Sequence, residues 1–505
     1  MASFQTKGSR MAIVTEVTEG TPVSPTLATQ YIALQDGYSL EPAFEVLDNA
    51  ELTGSIGKAK PVLGLENPTA SLDHYIRHSG VEGQEPNFGP LIEGVMGGKS
   101  VNATEYDTDT GSSAGTASAA AIVVVDAGDG ANFERGEALL IKDATNGYKV
   151  RNVQSIATDD LTLNFNLNAA PAANVTLGKA VLYKPGSAYP TFSMWDYRGN
   201  GAAVQMMAGS RVTELGIEAN AGEFINGSFS LEGLSYYFDP IEITASTDTI
   251  DFNDGGVKVA TVAAGFYKDP LDLAAAIQTA MDAASSDAIT CSYSSSTGKF
   301  TIATDGAALS LLWNTGANTA QSIAPKIGFS TAANSTAALT YTSPTALVLS
   351  SPQTPTFDSA DPLVAKNNEV FLGDFNDIDC FCASSVSLTI ANEKTDVLCV
   401  CAESGKQEAV ITGREVTIEI EAVLEQYEAD KFHRYHTNQT TKFMYNFGEK
   451  SGGNWVAGKV GNIYIPTATI TAFSVTDLDG LVALNMTLSA YVDSTGGGEC
   501  YINFL

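Results

Sequence analysis

YIALQDGYSLEPAFEVLDNAELTGSIGKAKPVLGLENPTASLDHY, residues 31–75, has a second version near the other end of the chain. Shifted by 348 positions, Ser39, Leu40, Ala43, Glu45, Asp48, Gly57, Lys58, Val62 and Thr69 fall on Ser387, Leu388, Ala391, Glu393, Asp396, Gly405, Lys406, Val410 and Thr417. These are 9 identities in the 31 ungapped pairs from residue 39 to residue 69. Average residue usage, with a match rate of roughly 6%, gives about 2 by chance. Within the stretch, Asp36-Gly37, Gly54 and Gly57 separate strand-like runs, the punctuation of antiparallel sheet. The expectation is a duplicated β block.

The echo continues. TFSMWDY (191–197) and TKFMYNF (441–447) match at an offset of 250. RVTELGIEA and EFINGSFSLEG around Gly222 parallel TITAFSVTD and LVALNMTLSAY around Gly480 once a one-residue gap is allowed. The first copy then occupies residues 31–100 plus 186–240, and the second residues 350–505. In the first, NFGPLIEGVM (87–96) predicts one short helix, with Asn87 as N-cap candidate and Gly97-Gly98 as the stop.

The remaining segments read as additions. Residues 1–30 carry Lys7, Arg10 and TEGTPVSPT with little apolar periodicity, and predict an extended arm, ordered only where something ties it down. Residues 101–185 open with a Ser, Thr, Gly, Ala and Asp linker, then continue as strand runs with Asn146-Gly147 as a turn, a small β insert. Residues 241–349 combine strand runs with the helical LDLAAAIQTAMDAA and predict a separate α+β module.

Composition agrees with many short strands. The 505 residues exceed what one hydrophobic core usually covers. Apolar residues make up 44%, charged residues only 17%, and there are 46 glycines, which suits strands and turns better than long charged helices. With 58 acidic against 27 basic residues the formal charge is −31, which repels a phosphate backbone and argues against a nucleic-acid grip. Such acidity keeps a concentrated protein soluble, or forms a surface that DNA passes without sticking. The N-terminus has no apolar signal region and no stretch approaches the roughly 18 to 20 apolar residues of a membrane span, so synthesis in a cytoplasm without export by that route is expected. Six cysteines are too sparse for a disulfide-stapled fold.

Signals for chemistry are weak. Cys380, Cys382, Cys399 and Cys401 form two C-x-C pairs that in principle surround a zinc ion, but the spacing equally puts small buried side chains on one face of a strand. His74 and His78 have i, i+4 spacing without the Glu of H-E-x-x-H, and together with His433 and His436 read as surface or interface residues. No phosphate-cradling loop or nucleophile elbow occurs. Neither an enzyme nor a cofactor is expected.

REVTIEIEAV (414–423) is more informative. A period of two sends Val416, Ile418 and Ile420 to one side and Glu415, Thr417, Glu419 and Glu421 to the other. Under the offset of 348 the polar positions correspond to Asn67, Thr69, Ser71 and Asp73. Both copies therefore present one polar, partly acidic sheet face, either an ordinary solvated face or the wall of a channel. Asp73, Glu415, Glu419 and Glu421 are the candidates for a lumen.

TEGTPVSPT, LQDGYSLEP, LTGSIGKAKPVLGLENPTASLDHYIRHSG and FGPLIEGVMGG resemble the major tail tube proteins of long-tailed bacteriophages, and GKQEAVITGREVTIEIEA with IYIPTATITAFSV looks like the same module again. GFY, STGKFTI, LLWNTG and IGF in residues 241–349 look like an appended module of phage tail proteins. The resemblance implies a mainly β chain with two tail-tube-type β-sandwich domains, each of packed antiparallel sheets with a flanking helix, plus the small β insert and the α+β module. It implies a virion structural protein, assembled in the host cytoplasm, whose domains join edge to edge into rings that stack into a hollow tube. Family members resemble one domain per subunit and six subunits per ring, so a duplicated chain is expected to form homotrimers, with the inserts projecting outward. The implied partners are the chain itself, tape-measure, tail-tip and terminator proteins, with DNA passing through unbound and no membrane. The alternative is a β-rich virion or cell-surface adhesin that binds a glycan or protein receptor, with Tyr267, Trp313 and Phe329 lining a site or forming a core.

Overall fold

Alternation decides which way each strand of the repeat faces. In the computed structural model, which describes residues 6–51, 56–109, 119–306, 308–349, 351–373, 380, 382–424, 429–478, 480–493 and 498–505, Thr69–Tyr75 is a strand. Its Ala70, Leu72 and His74 are buried while Thr69, Ser71 and Asp73 are exposed, as a pleat of period two requires. Strands hold 49% of the residues and helices 9%, so the fold is mainly β.

The first repeat runs β1 (Arg10–Thr15), β2 (Ser39–Glu41), β3 (Thr69–Tyr75), α1 (Gly89–Met96), β4 (Phe192–Arg198), β5 (Ala203–Asn220) and β6 (Asn226–Glu232). The module between the repeats carries α2 (Pro270–Ala284). The second repeat follows with β7 (Glu369–Gly373), β8 (Ala383–Leu398), β9 (Lys406–Val423), α3 (Ala429–His436), β10 (Thr441–Ser451), β11 (Asn454–Leu478) and β12 (Leu481–Ala490). Helix α1 starts one residue later than the sequence suggests: Phe88 is its N-cap, and the Asn87 amide instead donates to the Tyr31 and Thr356 carbonyls. Gly97 ends it in the left-handed conformation at φ 77°, which costs glycine nothing.

Each repeat is a two-layer sandwich threaded by one long strand, β5 or β11. One layer orders β2–β3–β6–β5 in the first repeat and β8–β9–β12–β11 in the second. The other pairs β1–β4–β5 and β7–β10–β11. The registers coincide: Ser39↔Ser71 and Leu40↔Ala70 become Ser387↔Glu419 and Leu388↔Ile418. A register shift between Val212 and Glu214 on β5 recurs between Ile470 and Ala472 on β11. Bulges re-aim a strand at a fixed place, so their recurrence ties the repeats together by geometry as well as sequence. The ladder also corrects the alignment of β4 with β10. Met194↔Met207 corresponds to Phe443↔Ile465, which pairs Met194 with Phe443, one residue short of the offset that matches identities. Phe192–Arg198 is buried on both faces except at its last residue, so no alternation fixes its parity.

The repeats do not fold as separate domains. β5 pairs antiparallel with β8 from Glu214↔Ala391 to Asn220↔Ser385, giving one sheet ordered β2–β3–β6–β5–β8–β9–β12–β11. Beneath it, Leu72, Leu215, Ile217 and Phe229 share a core with Leu388, Ile390, Ile418 and Leu488. Helix α1 covers the junction: Asn392 Nδ2 donates to the Val95 and Val212 carbonyls at 3.1 and 3.3 Å, and Arg414 Nη1 to the Met96 carbonyl at 3.0 Å.

Three boundaries move. Residues 1–30 are not simply an arm: Met11, Ala12, Ile13 and Val14 are buried in β1, between Tyr31 and Trp195 on one side and the shared core on the other. Such a run lacks periodicity because it has no solvent face. The insert's own six strands lie within residues 106–177, while Lys99–Asn102 and Ala180–Tyr183 pair with each other and join Tyr501–Phe504 of the second repeat. The module has a core of its own around Phe252, Ile277, Phe300 and Trp313, and Asp269 caps α2 through the Leu271 and Asp272 amides. Phe266 of the module packs on Trp195, and the insert's Phe165 packs with Met444 and Tyr464. Both additions thus cover the sandwich layer opposite the eight-stranded sheet's polar face.

Candidate functional site

The polar face of the eight-stranded sheet follows from the ladder. Asp73 stands beside Ser228, Ser228 beside Gly216, Gly216 beside Thr389, and Thr389 beside Thr417. The next row holds Asn226, Glu218, Ser387, Glu419 and Thr487. A third brings Ser385 to Glu421 and Glu421 to Asn485, and Glu415 lies opposite Ala391, itself opposite Glu214. All four predicted residues, Asp73, Glu415, Glu419 and Glu421, therefore share this face, spread across both repeats.

The face is a carpet of Ser, Thr and Asn studded with carboxylates. Asp73, Glu415 and Glu419 are exposed and Glu421 is half-buried, its backbone carbonyl accepting from the Ser384 hydroxyl at 2.9 Å. Sequence reasoning did not single out Glu214, Glu218 and Glu232, which the ladder adds. Their signal was present in ELGIE, where Glu214, Gly216 and Glu218 alternate with buried Leu215 and Ile217. The cations that reach this face lie at the Glu232 end and are already paired: Arg211, opposite Glu232 in the ladder, bonds Glu19, and Lys394 bonds Glu232 and Asp396. Short hydroxyl and amide side chains hold little positive charge for a polyanion to grip, and the carboxylates repel it within a Debye length of roughly 8 Å at physiological salt.

At the junction of the repeats, charge is paired rather than repelled. The hairpin of β8 and β9 lies over the first repeat, where buried Lys406 meets Asp396 at 2.7 Å and also the Asn67 side-chain oxygen. Lys394 bonds both Asp396 and Glu232 at 2.7 Å. These contacts hold the Asp396 carboxyl below its ordinary range against the opposing effect of burial.

The cysteines do not form a metal centre. Cys380 and Cys382 precede β8 while Cys399 and Cys401 follow it, and a strand of 16 residues separates the pairs, on the order of 50 Å. Cys380, Cys382 and Cys401 are exposed, so they are not buried strand residues either. Among the described residues no three of His, Cys, Asp and Glu gather to hold an ion. His74 and His78 are core residues rather than surface ones: His74 stacks on Phe229 at 5.4 Å and His78 meets Phe504 at 5.6 Å. Trp313 and Phe329 are buried against each other, and the half-buried Tyr267 donates its hydroxyl to the Ala263 carbonyl. The three aromatics do not line an open site.

No helix among the described residues is long and apolar enough to cross a membrane. No family model and no curated protein matches the chain.

Proposed function

We propose that this chain is the structural subunit of a phage tail tube: three copies close into a ring of pseudo-sixfold symmetry, the rings stack, and the polar sheet face lines a conduit for DNA passing from capsid to host. The observation that carries this reading is the head-to-tail construction of the sheet. The strand at one edge of the first repeat's layer, β5, pairs with the strand at the opposite edge of the second repeat's layer, β8. The equivalent strands at the two ends, β2 and the outer half of β11, have partners on one side alone among the described residues.

A head-to-tail join repeated by rotation closes into a ring, and closure removes the unpaired edges that otherwise invite irregular association. Three chains supply the six repeats. The insert and the module lie on the layer away from the polar face, where they leave a lumen open. The acidic carpet then acts through low friction, since a strand of phosphates meets mainly carboxylates, hydroxyls and amides, and the Arg211 and Lys394 cations at the Glu232 end are held in ion pairs. Tape-measure, tail-tip and terminator proteins are the partners such a tube takes, and the virion is its location.

Electron microscopy of the purified protein at high concentration, with and without a tail-tip nucleus, tests the reading. Rings or tubes are expected; persistent monomers under both conditions overturn it.

A further inference from the structure

Resting on the tube reading, we infer that the seam between neighbouring copies reproduces the internal junction residue for residue: the outer half of β11 pairs with β2 of the next copy, and Lys58 of that copy meets Glu415. The repeat equivalences set the register. The internal ladder contains Ile217↔Leu388 and Glu218↔Ser387. Ile217 and Glu218 correspond to Val475 and Thr476, and Leu388 and Ser387 to Leu40 and Ser39. The seam therefore sets Val475 opposite Leu40 and Thr476 opposite Ser39.

Exposure supports this pairing. Ile217, covered by β8, is 3% exposed, whereas its equivalent Val475 is 58% exposed. Helix α1 buries Leu91, Ile92, Val95 and Met96 over the internal junction. Its counterpart α3 rests on Phe473 and leaves Phe432 51% exposed and Tyr435 37% exposed. Asn392 reaches the α1 end of the internal junction beside Arg414, and the equivalent of Asn392 is Phe44, 44% exposed on the β2 side of the molecule. A second copy thus brings an exposed aromatic to a helix that presents two.

Charge complements shape. Lys406 keeps Asp396 within its own hairpin and reaches across to Asn67. Lys58 keeps the equivalent Asp48 at 2.7 Å, with both side chains about two-thirds exposed at 67% and 68%. The position equivalent to Asn67 is Glu415, so the amide contact of the internal junction becomes an ion pair at the seam. Glu415 then serves as a clasp at the rim of the polar face, and Asp73, Glu419 and Glu421 remain for the wall.

The test uses the full chain with Cys380, Cys382, Cys399 and Cys401 changed to Ser, imaged first to establish that rings form. Ser39→Cys with Thr476→Cys places thiols directly opposite, at a separation a disulfide accepts. Mild oxidation is expected to give linked dimers and trimers on a non-reducing gel. Ser39→Cys with Ala472→Cys, four residues out of register, is expected to stay monomeric. Lys58→Glu or Glu415→Lys alone is expected to weaken assembly about tenfold, and the double exchange to restore it. Rings that form without the Ser39–Thr476 link, or a double exchange no better than either single change, overturn the seam and leave the tube reading standing. Absence of rings from the unsubstituted chain overturns the tube reading and the seam together.

Discussion

His78 belongs to the first repeat but lies against Phe447 and Phe504 of the second, and its Nε2 is buried without a hydrogen-bond partner among the described residues. Burial pushes its pKa down to about 3, with Lys459 adding to the effect, and burial lowers that of His74 to about 4. Both values lie below the ordinary 6.5, so the unfolded chain takes up the proton first. Their contribution to stability is complete above about pH 6.5 and is lost as the pH falls toward the folded values. Buried Glu137 works the other way: desolvation raises its pKa to about 7, so its contribution shrinks as pH rises from the ordinary carboxyl range toward 7. The comparison must therefore be made between variants. His78→Phe is expected to lose about 3 kcal/mol less than the parent between pH 7 and pH 4, read from denaturant midpoints at each pH. Equal losses contradict the assignment. The sequence showed the i, i+4 pair but not its burial, because spacing alone does not distinguish a surface pair from two core residues at a strand's end.

At the scale of elements, a chain of buried amides fixes the insert to the second repeat. Asn462 accepts from Asn152 Nδ2 at 2.7 Å and Asn503 Nδ2 at 3.0 Å, and donates to Asn446 Oδ1 at 2.7 Å. Asn462→Leu removes the bonds that Asn152, Asn503 and Asn446 make to this buried side chain and leaves Asn446 Oδ1 without its donor, and is expected to cost about 3 kcal/mol, measured by chemical denaturation. A cost near zero contradicts a network that holds the insert in place. The polar face has its own test. Glu419→Lys with Glu421→Lys changes two residues on the solvent side of β9, leaves the buried Ile418 and Ile420 alone, and is expected to create measurable, salt-sensitive affinity for duplex DNA in fluorescence anisotropy where the parent shows none. Unchanged binding removes the case for electrostatic repulsion from this face. The alternation of these strands was legible because water sits on one side and core on the other. β1 and β4 were harder to read, one taken into an arm and the other matched one residue out of register, because both are covered on two faces and a strand without a solvent side carries no period.

At the scale of the whole molecule, the duplication was legible from scattered identities between residues 39 and 69, but its consequence was not. Whether two repeats form two domains or one continuous sheet depends on the β5–β8 pairing, a contact between distant segments that leaves no local pattern. In the proposed ring that pairing links residue-level register to stoichiometry, because each chain would contribute one finished junction and the two halves of another. An averaged cross-section of the assembled tube measures this directly. Three chains around an open lumen, with six lobes alternating between two kinds and the sheet's polar face inward, are the predicted result. Six chains per ring, or a ring whose polar face points outward, would contradict the account.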